Sequence, residues 1–325
     1  MASAASRALP ALMMGGRNVF MQRAGETARR QLPGNCIQQF CFRGDNHLAR
    51  FVANTKNLDK AFKFAKSVSE FSCGVIEGAG AKGVALDTAK NVTGALGLTR
   101  NVVGLANVMN GCVPGLVKSS KSCFEHIKQC FAHPEGYNLG SVERPMPYNK
   151  LFLTKGDHAL MAVKEGCSAI GAATYIATFG VSRPILLANK LAGKSFLSEG
   201  AKAGLGDSVN YMMTANHAAG VIGGVAALAY ESRAYTRASD GVLGVAQDEQ
   251  ISPEVFQQVS QELKTSHAAA LKKIILGILE KAFEFLADLV KLIPFPFSAP
   301  TRLAVTAGFV TISSGIGLYS VWSNS

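Results

Sequence analysis

Residues 208–230 read SVNYMMTANHAAGVIGGVAALAY, and none of these 23 residues is Asp, Glu, Lys or Arg. At about 1.5 Å per residue, a helix of this length reaches roughly 35 Å, enough to cross a hydrocarbon core of about 30 Å. The same absence recurs at 303–325, LAVTAGFVTISSGIGLYSVWSNS, and over the shorter run 166–182. The shorter run reaches only about 26 Å, so as a span it needs flanking residues to snorkel or the bilayer to thin. Spans are expected at 160–182, 208–230 and 303–322.

Outside these runs the chain is strongly basic. Its 325 residues carry a net charge of +11, although only 17% of them are charged, against about 25% in a typical soluble protein. After residue 230 there are 8 basic residues against 9 acidic, so the surplus lies before it. Such a surplus suits acidic lipid headgroups or nucleic acid. The basic residues are scattered, and no recognition-helix, zinc-finger or stacking pattern accompanies them, so no nucleic-acid partner is expected. Mean hydropathy is +0.18. A soluble helical protein that buries the apolar runs in its own core therefore remains an alternative.

Residues 1–47 read as unstructured, with Pro33-Gly34 as a breaker. Arg7, Arg17, Arg23, Arg29 and Arg30 stand there against the single acid Glu26 within residues 1–33. A Sec signal is excluded, because Ala8–Met14 is short and holds Pro10. The composition fits a mitochondrial presequence and an uncleaved type III secretion signal equally well. Seven dispersed cysteines without a C-x-x-C pair are expected to be mostly reduced thiols.

Helical periodicity runs through most of the remainder. Residues 48–155 read as amphipathic helices with a Pro/Gly linker near 133–149, and Asn110-Gly111 with Pro114-Gly115 ends a helix pair over 84–118. Residues 156–231 form an apolar helical pair, with a polar connector over 183–207 in which 185–189 make a short helix. Residues 232–252 read as a polar linker. Ser252-Pro253-Glu254 starts a long amphipathic helix that Pro294 stops, giving a 253–294 segment before the apolar helix of 295–325. On that long helix Ile275, Leu279, Ala282, Leu286, Leu289 and Ile293 share one face, and Lys273, Glu280, Glu284, Asp288 and Lys291 the other. The polar face is a candidate partner-binding surface. The fold class is mostly α: amphipathic helices plus two to three apolar ones.

Chemistry-bearing motifs are weak. Gly78-Ala-Gly80-Ala-Lys-Gly83 matches G-x-G-x-x-G but follows a helical pattern and lacks the distant acid, so it reads as a loop between helices. Cys123, His126, Cys130 and His133 are zinc ligands by type, yet on one helix they spread along about 15 Å, too far for one tetrahedral ion. His217 lies in an apolar run with no acid near it in sequence, and reads as a neutral imidazole bonded to backbone. No catalytic residue, metal site or cofactor is expected. Ala215, Ala219 and Gly223, with Gly220 and Gly224, recur every four residues, a spacing that lets helix backbones approach closely and also suits self-association.

Over 173–219 the chain reads ATYIATFGVSRPILLANKLAGKSFLSEGAKAGLGDSVNYMMTANHAA. This block resembles the chlamydial class-I-accessible proteins, a group of inclusion-membrane proteins. The likeness extends to ARFVANTKNLDKAFKFAKSVSE (49–70) and LEKAFEFLADLVKLIPFP (279–296). The resemblance implies a Chlamydia effector exported by type III secretion through its N-terminus, with the secretion machinery or a chaperone as partner there. It implies residence in the inclusion membrane with a part facing host cytosol, and a non-enzymatic role toward a host protein. Inclusion-membrane proteins carry two spans with a short loop between them. Here the gap is 25 residues and a third apolar run follows.

Overall fold

The computed structural model describes residues 55–132, 140–141, 144–145, 148–150, 154–192, 195–248 and 252–323. The N-terminal segment 1–47 and His133 lie outside the described residues. Helices dominate: α1 (Thr55–Gly78), α2 (Val84–Asn107), α3 (Val113–Phe131), α4 (Lys155–Tyr175), α5 (Arg183–Leu191), α6 (Glu199–Asp248), α7 (Pro253–Leu292) and α8 (Ala299–Trp322). The strand content of the described residues is a two-residue antiparallel pair, β1 (Gly140–Ser141) with β2 (Arg144–Pro145). The mostly α class is as expected.

Three boundaries differ from the expected ones, each for a local reason. Asn110-Gly111 and Pro114-Gly115 do not end a helix. A π segment, Val108–Cys112, joins α2 to α3, and the Val113 N–H reaches back five residues to the Val108 carbonyl. A second π segment, Ile176–Ser182, joins α4 to α5, with the Arg183 N–H on the Thr178 carbonyl. Each widened turn comes just before a proline, Pro114 or Pro184, where the ordinary four-residue ladder must lose a donor in any case. The helix from Lys155 therefore runs to Leu191. The expected linker at 232–252 is helical as far as Asp248. It contains no proline, and it buries Ala234 and Ala238.

Signals at the other ends hold. Val255 N–H donates to Ser252 Oγ at 3.4 Å, and α7 ends two residues before Pro294. Ser298 Oγ caps α8 by accepting from Thr301 N–H at 3.3 Å. Gly80 (φ 74°) and Gly83 (φ 103°) turn the chain between α1 and α2, so the G-x-G-x-x-G match is a helix–helix loop.

The described chain divides into two compact units. One gathers residues 123–164 and 225–275 around Met161, Tyr230 and Ala234, with Leu160 and Tyr148 against them. Its α4 begins with a reciprocal cap: Asp157 N–H donates to Thr154 Oγ1 at 3.2 Å, and Thr154 N–H to Asp157 Oδ2 at 3.1 Å. The other unit gathers residues 55–122, 165–224 and 276–323. There α1 packs antiparallel along α8, with Gly74 at Ala304, Phe71 at Gly308, Phe64 at Gly315 and Lys60 at Gly317. A Cβ on Gly74 would lie 2.7 Å from the Ala304 backbone nitrogen, so only glycine permits this approach.

Candidate functional site

The larger unit has an inverted interior. Phe179, Leu86, Val108, Val209 and Val290 are buried, but many large side chains face outward: Val68, Phe71 and Val75 on α1, Leu279 and Leu286 on α7, Ile312 and Tyr319 on α8 are all exposed. Asp59, Ser67, Asn216, His217, Glu284, Asp288, Thr306, Ser313 and Ser314 are buried. The face with Ile275, Leu279, Leu286 and Ile293 is exposed, and the acids turn inward.

The cause is a set of long-range partners. Lys60 Nζ lies 2.8 Å from Glu280, and Lys63 pairs with Glu284. Lys281 Nζ stands 2.8 Å from the same Glu284, and Lys291 3.4 Å from Asp288. His217 joins the acids from α6, with Nε2 2.7 Å from Glu284 Oε2 and Nδ1 2.6 Å from Asp288 Oδ2. A neutral imidazole carries one N–H, so two such bonds require either an imidazolium or a protonated carboxyl. The backbone-bonded His217 expected from sequence is therefore corrected: its partners lie 67 and 71 residues away. Burial, together with Arg100 and Lys281, pulls the Lys63 ammonium well below its ordinary value, and Glu280 and Asp59 only partly offset this.

The candidate partner face thus splits. Glu280, Glu284 and Asp288 are engaged inside the unit, while Lys273 and Lys291 are exposed. The small-residue stripe splits too. Ala219 and Gly223 are buried, and Ala215 is exposed. Gly220 and Gly224 meet α7 directly: a Cβ on them would lie 2.7 Å from Lys281 Cγ and 2.5 Å from Ile278 Cγ1.

A second polar cluster forms where the two π segments meet. Fully buried Phe179 packs against Gly104, where a Cβ would collide with the ring, and Gly180 packs against Val108. Tyr175 stacks on Phe179 at 4.4 Å between centroids, and the guanidinium carbons of Arg183 and Arg100 stand 4.4 and 5.4 Å from the Phe179 centroid. Asp59 accepts from Arg100 Nε and the Tyr175 hydroxyl, both at 3.1 Å. None of these long-range meetings has a local sequence signal.

In the smaller unit, Arg237 Nη1 donates to buried Asp157 at 3.0 Å, and His267 Nδ1 lies 3.1 Å from Glu231. The Tyr148 hydroxyl donates to Glu231, and burial and that carboxylate push the phenol up. The C-x2-H-x3-C set faces α4 one residue at a time: Cys123 Sγ donates to the Ala162 carbonyl at 3.3 Å, His126 Nδ1 lies 3.0 Å from His158 Nδ1, and Cys130 Sγ reaches the Lys155 carbonyl at 3.7 Å. No group of three His, Cys, Asp or Glu suited to a metal occurs among the described residues.

Three helices, over Lys155–Leu191, Glu199–Gly244 and Ala299–Trp322, are long and apolar enough to cross a membrane. Only 17%, 28% and 28% of their most apolar windows are buried by the chain itself. No family model, curated protein or solved structure matches the chain.

Proposed function

We propose that this chain is an integral protein of a pathogen-vacuole membrane, delivered by type III secretion and acting on a host protein by binding rather than catalysis. The observation that supports the membrane part is the set of three long apolar helices, whose most apolar windows the rest of the chain leaves mostly uncovered. Water rewards the burial of Phe, Leu and Val, whereas lipid removes that reward and leaves polar groups to seek each other inside. Exposed Tyr319 and Trp322 at the end of α8 fit an interfacial anchor. The secretion and host-facing parts rest on the resemblance over 173–219 and on the Arg-bearing N-terminus.

One observation favours a soluble helical effector instead. The charged network on α1 and α7 meets α6 at His217, well inside its apolar run. Against that reading, the apolar windows are mostly uncovered by the rest of the chain.

Carbonate extraction of membranes from infected cells tests the choice. The membrane reading expects the chain in the pellet at high pH. Release into the supernatant would mean peripheral or soluble protein and would overturn it. A translocation reporter fused behind residues 1–47 tests delivery separately, with loss of signal in a secretion-deficient strain as the expected result.

A further inference from the structure

Beside the Phe179 cluster lies an open cleft of about 300 Å³ within the larger unit. Its walls come from α1, α2 and α5. Lys66, Arg183 and Lys190 supply cations, and Leu98, Leu186 and Leu187 supply apolar surface. Gly94 leaves the α2 wall open, with nothing within 4 Å of where its Cβ would stand.

The cations are unequally neutralised. Lys66 pairs with Glu70, one turn on. Arg100, next to the cleft, holds Asp59. Arg183 has only the Asn101 side-chain oxygen, at 3.3 Å, and the Phe179 ring; among the described residues no carboxylate is in ion-pair reach of it. Lys190 is exposed and likewise has no carboxylate partner among the described residues. The cleft is therefore lined by a guanidinium and an ammonium without a carboxylate in ion-pair reach among the described residues, above leucine walls, with Asp59 and Glu70 acting on Arg183 only from farther off.

We infer that this cleft seats the phosphate of an anionic phospholipid, with the adjoining glycerol and first acyl methylenes against Leu98, Leu186 and Leu187. The inference rests on the membrane reading above. The charge-free run ends at Ser182, so Arg183 and Lys190 fall where that run would meet the headgroups. A guanidinium binds phosphate through two parallel N–H bonds, and a lysine beside it adds a point charge. Basic side chains at the end of a spanning helix attract anionic lipid headgroups. A free phosphate would use the same cations but not the leucines.

The test uses the full-length chain in detergent micelles, with native mass spectrometry to count retained lipid. Phosphatidic acid, phosphatidylcholine and inorganic phosphate are the probes. Phosphatidic acid should be retained in preference to phosphatidylcholine, and millimolar phosphate should not displace it. R183Q/K190Q should cut retention at least about tenfold. K118Q/K121Q, equal in charge but on α3, should not. K190Q alone removes an exposed side chain, so it folds even where the double variant does not, and it should lower retention several-fold.

Equal retention of phosphatidylcholine, unchanged retention in K190Q and R183Q/K190Q, or full displacement by phosphate would each overturn the inference; the last would make this a soluble-anion site. Micelle binding needs no bilayer. Carbonate release with selective retention would therefore sink the insertion reading alone. A pelleted chain with unselective retention would sink the headgroup site alone.

Discussion

Glu280 sits where burial by itself would hold its proton on, yet Lys60, Lys281 and Lys63 outweigh that and keep its carboxyl below the ordinary value. The Lys60–Glu280 pair therefore stabilises the fold fully above the unfolded glutamate value, about 4.3, and this contribution is lost as pH falls through the lower folded value. The melting temperature in detergent should fall as pH drops from about 6 to about 3, and Glu280→Gln should make that fall shallower. At neutral pH the same substitution should cost about 1.5–3 kcal/mol, the range for a hydrogen bond to a charged group. Identical pH slopes in the two proteins would refute the assignment. His217 teaches a related lesson about reading single residues. Its acids are both on α7, and a search of neighbouring positions could not find them.

On the helices, the sequence pattern located faces without saying which solvent they meet. The 3.6-residue period correctly separated Ile275, Leu279, Leu286 and Ile293 from Glu280, Glu284 and Asp288 on α7. Which side packs depends on what lies outside; here Glu284 and Asp288 are buried while Leu279 and Leu286 are exposed. The start of α7 at Ser252-Pro253 was legible because caps are local chemistry, whereas the π segments before Pro114 and Pro184 were not, because proline reads as a stop. The small-residue stripe on α6 was legible as a packing device, but not which of its two rows meets α7. Gly220→Leu and Gly224→Leu should each destabilise the protein by about 1–3 kcal/mol through overpacking against Lys281 and Ile278. Ala215→Leu, on an exposed position, should stay within about 0.5 kcal/mol. Thermal melts of the three variants in one detergent decide this, and an Ala215 variant as damaged as the glycine variants would reassign the stripe.

For the whole chain, three spans would place the two ends on opposite sides of the bilayer. Single-cysteine variants with an impermeant maleimide read this directly in sealed membrane vesicles. Cys167, inside the Lys155–Leu191 helix, should stay unlabelled until detergent is added. Cys123 and Cys130, partly exposed on α3, should label from one side only. Labelling of Cys167 in intact membranes would remove the first span. The inverted interior also bears on how the sequence can drift. Outward positions such as Val68, Leu279 and Ile312 ask only for an apolar side chain, so they can exchange freely among Val, Leu, Ile and Phe. Among inward positions, loss of Glu284 takes from Lys63 its ion-pair acid at a cost of about 3–5 kcal/mol, whereas loss of Lys63 leaves Glu284 with Lys281 and His217. Lineages of this protein should therefore keep their charges in matched pairs separated by some two hundred residues, while the hydrophobic letters between them turn over with little constraint.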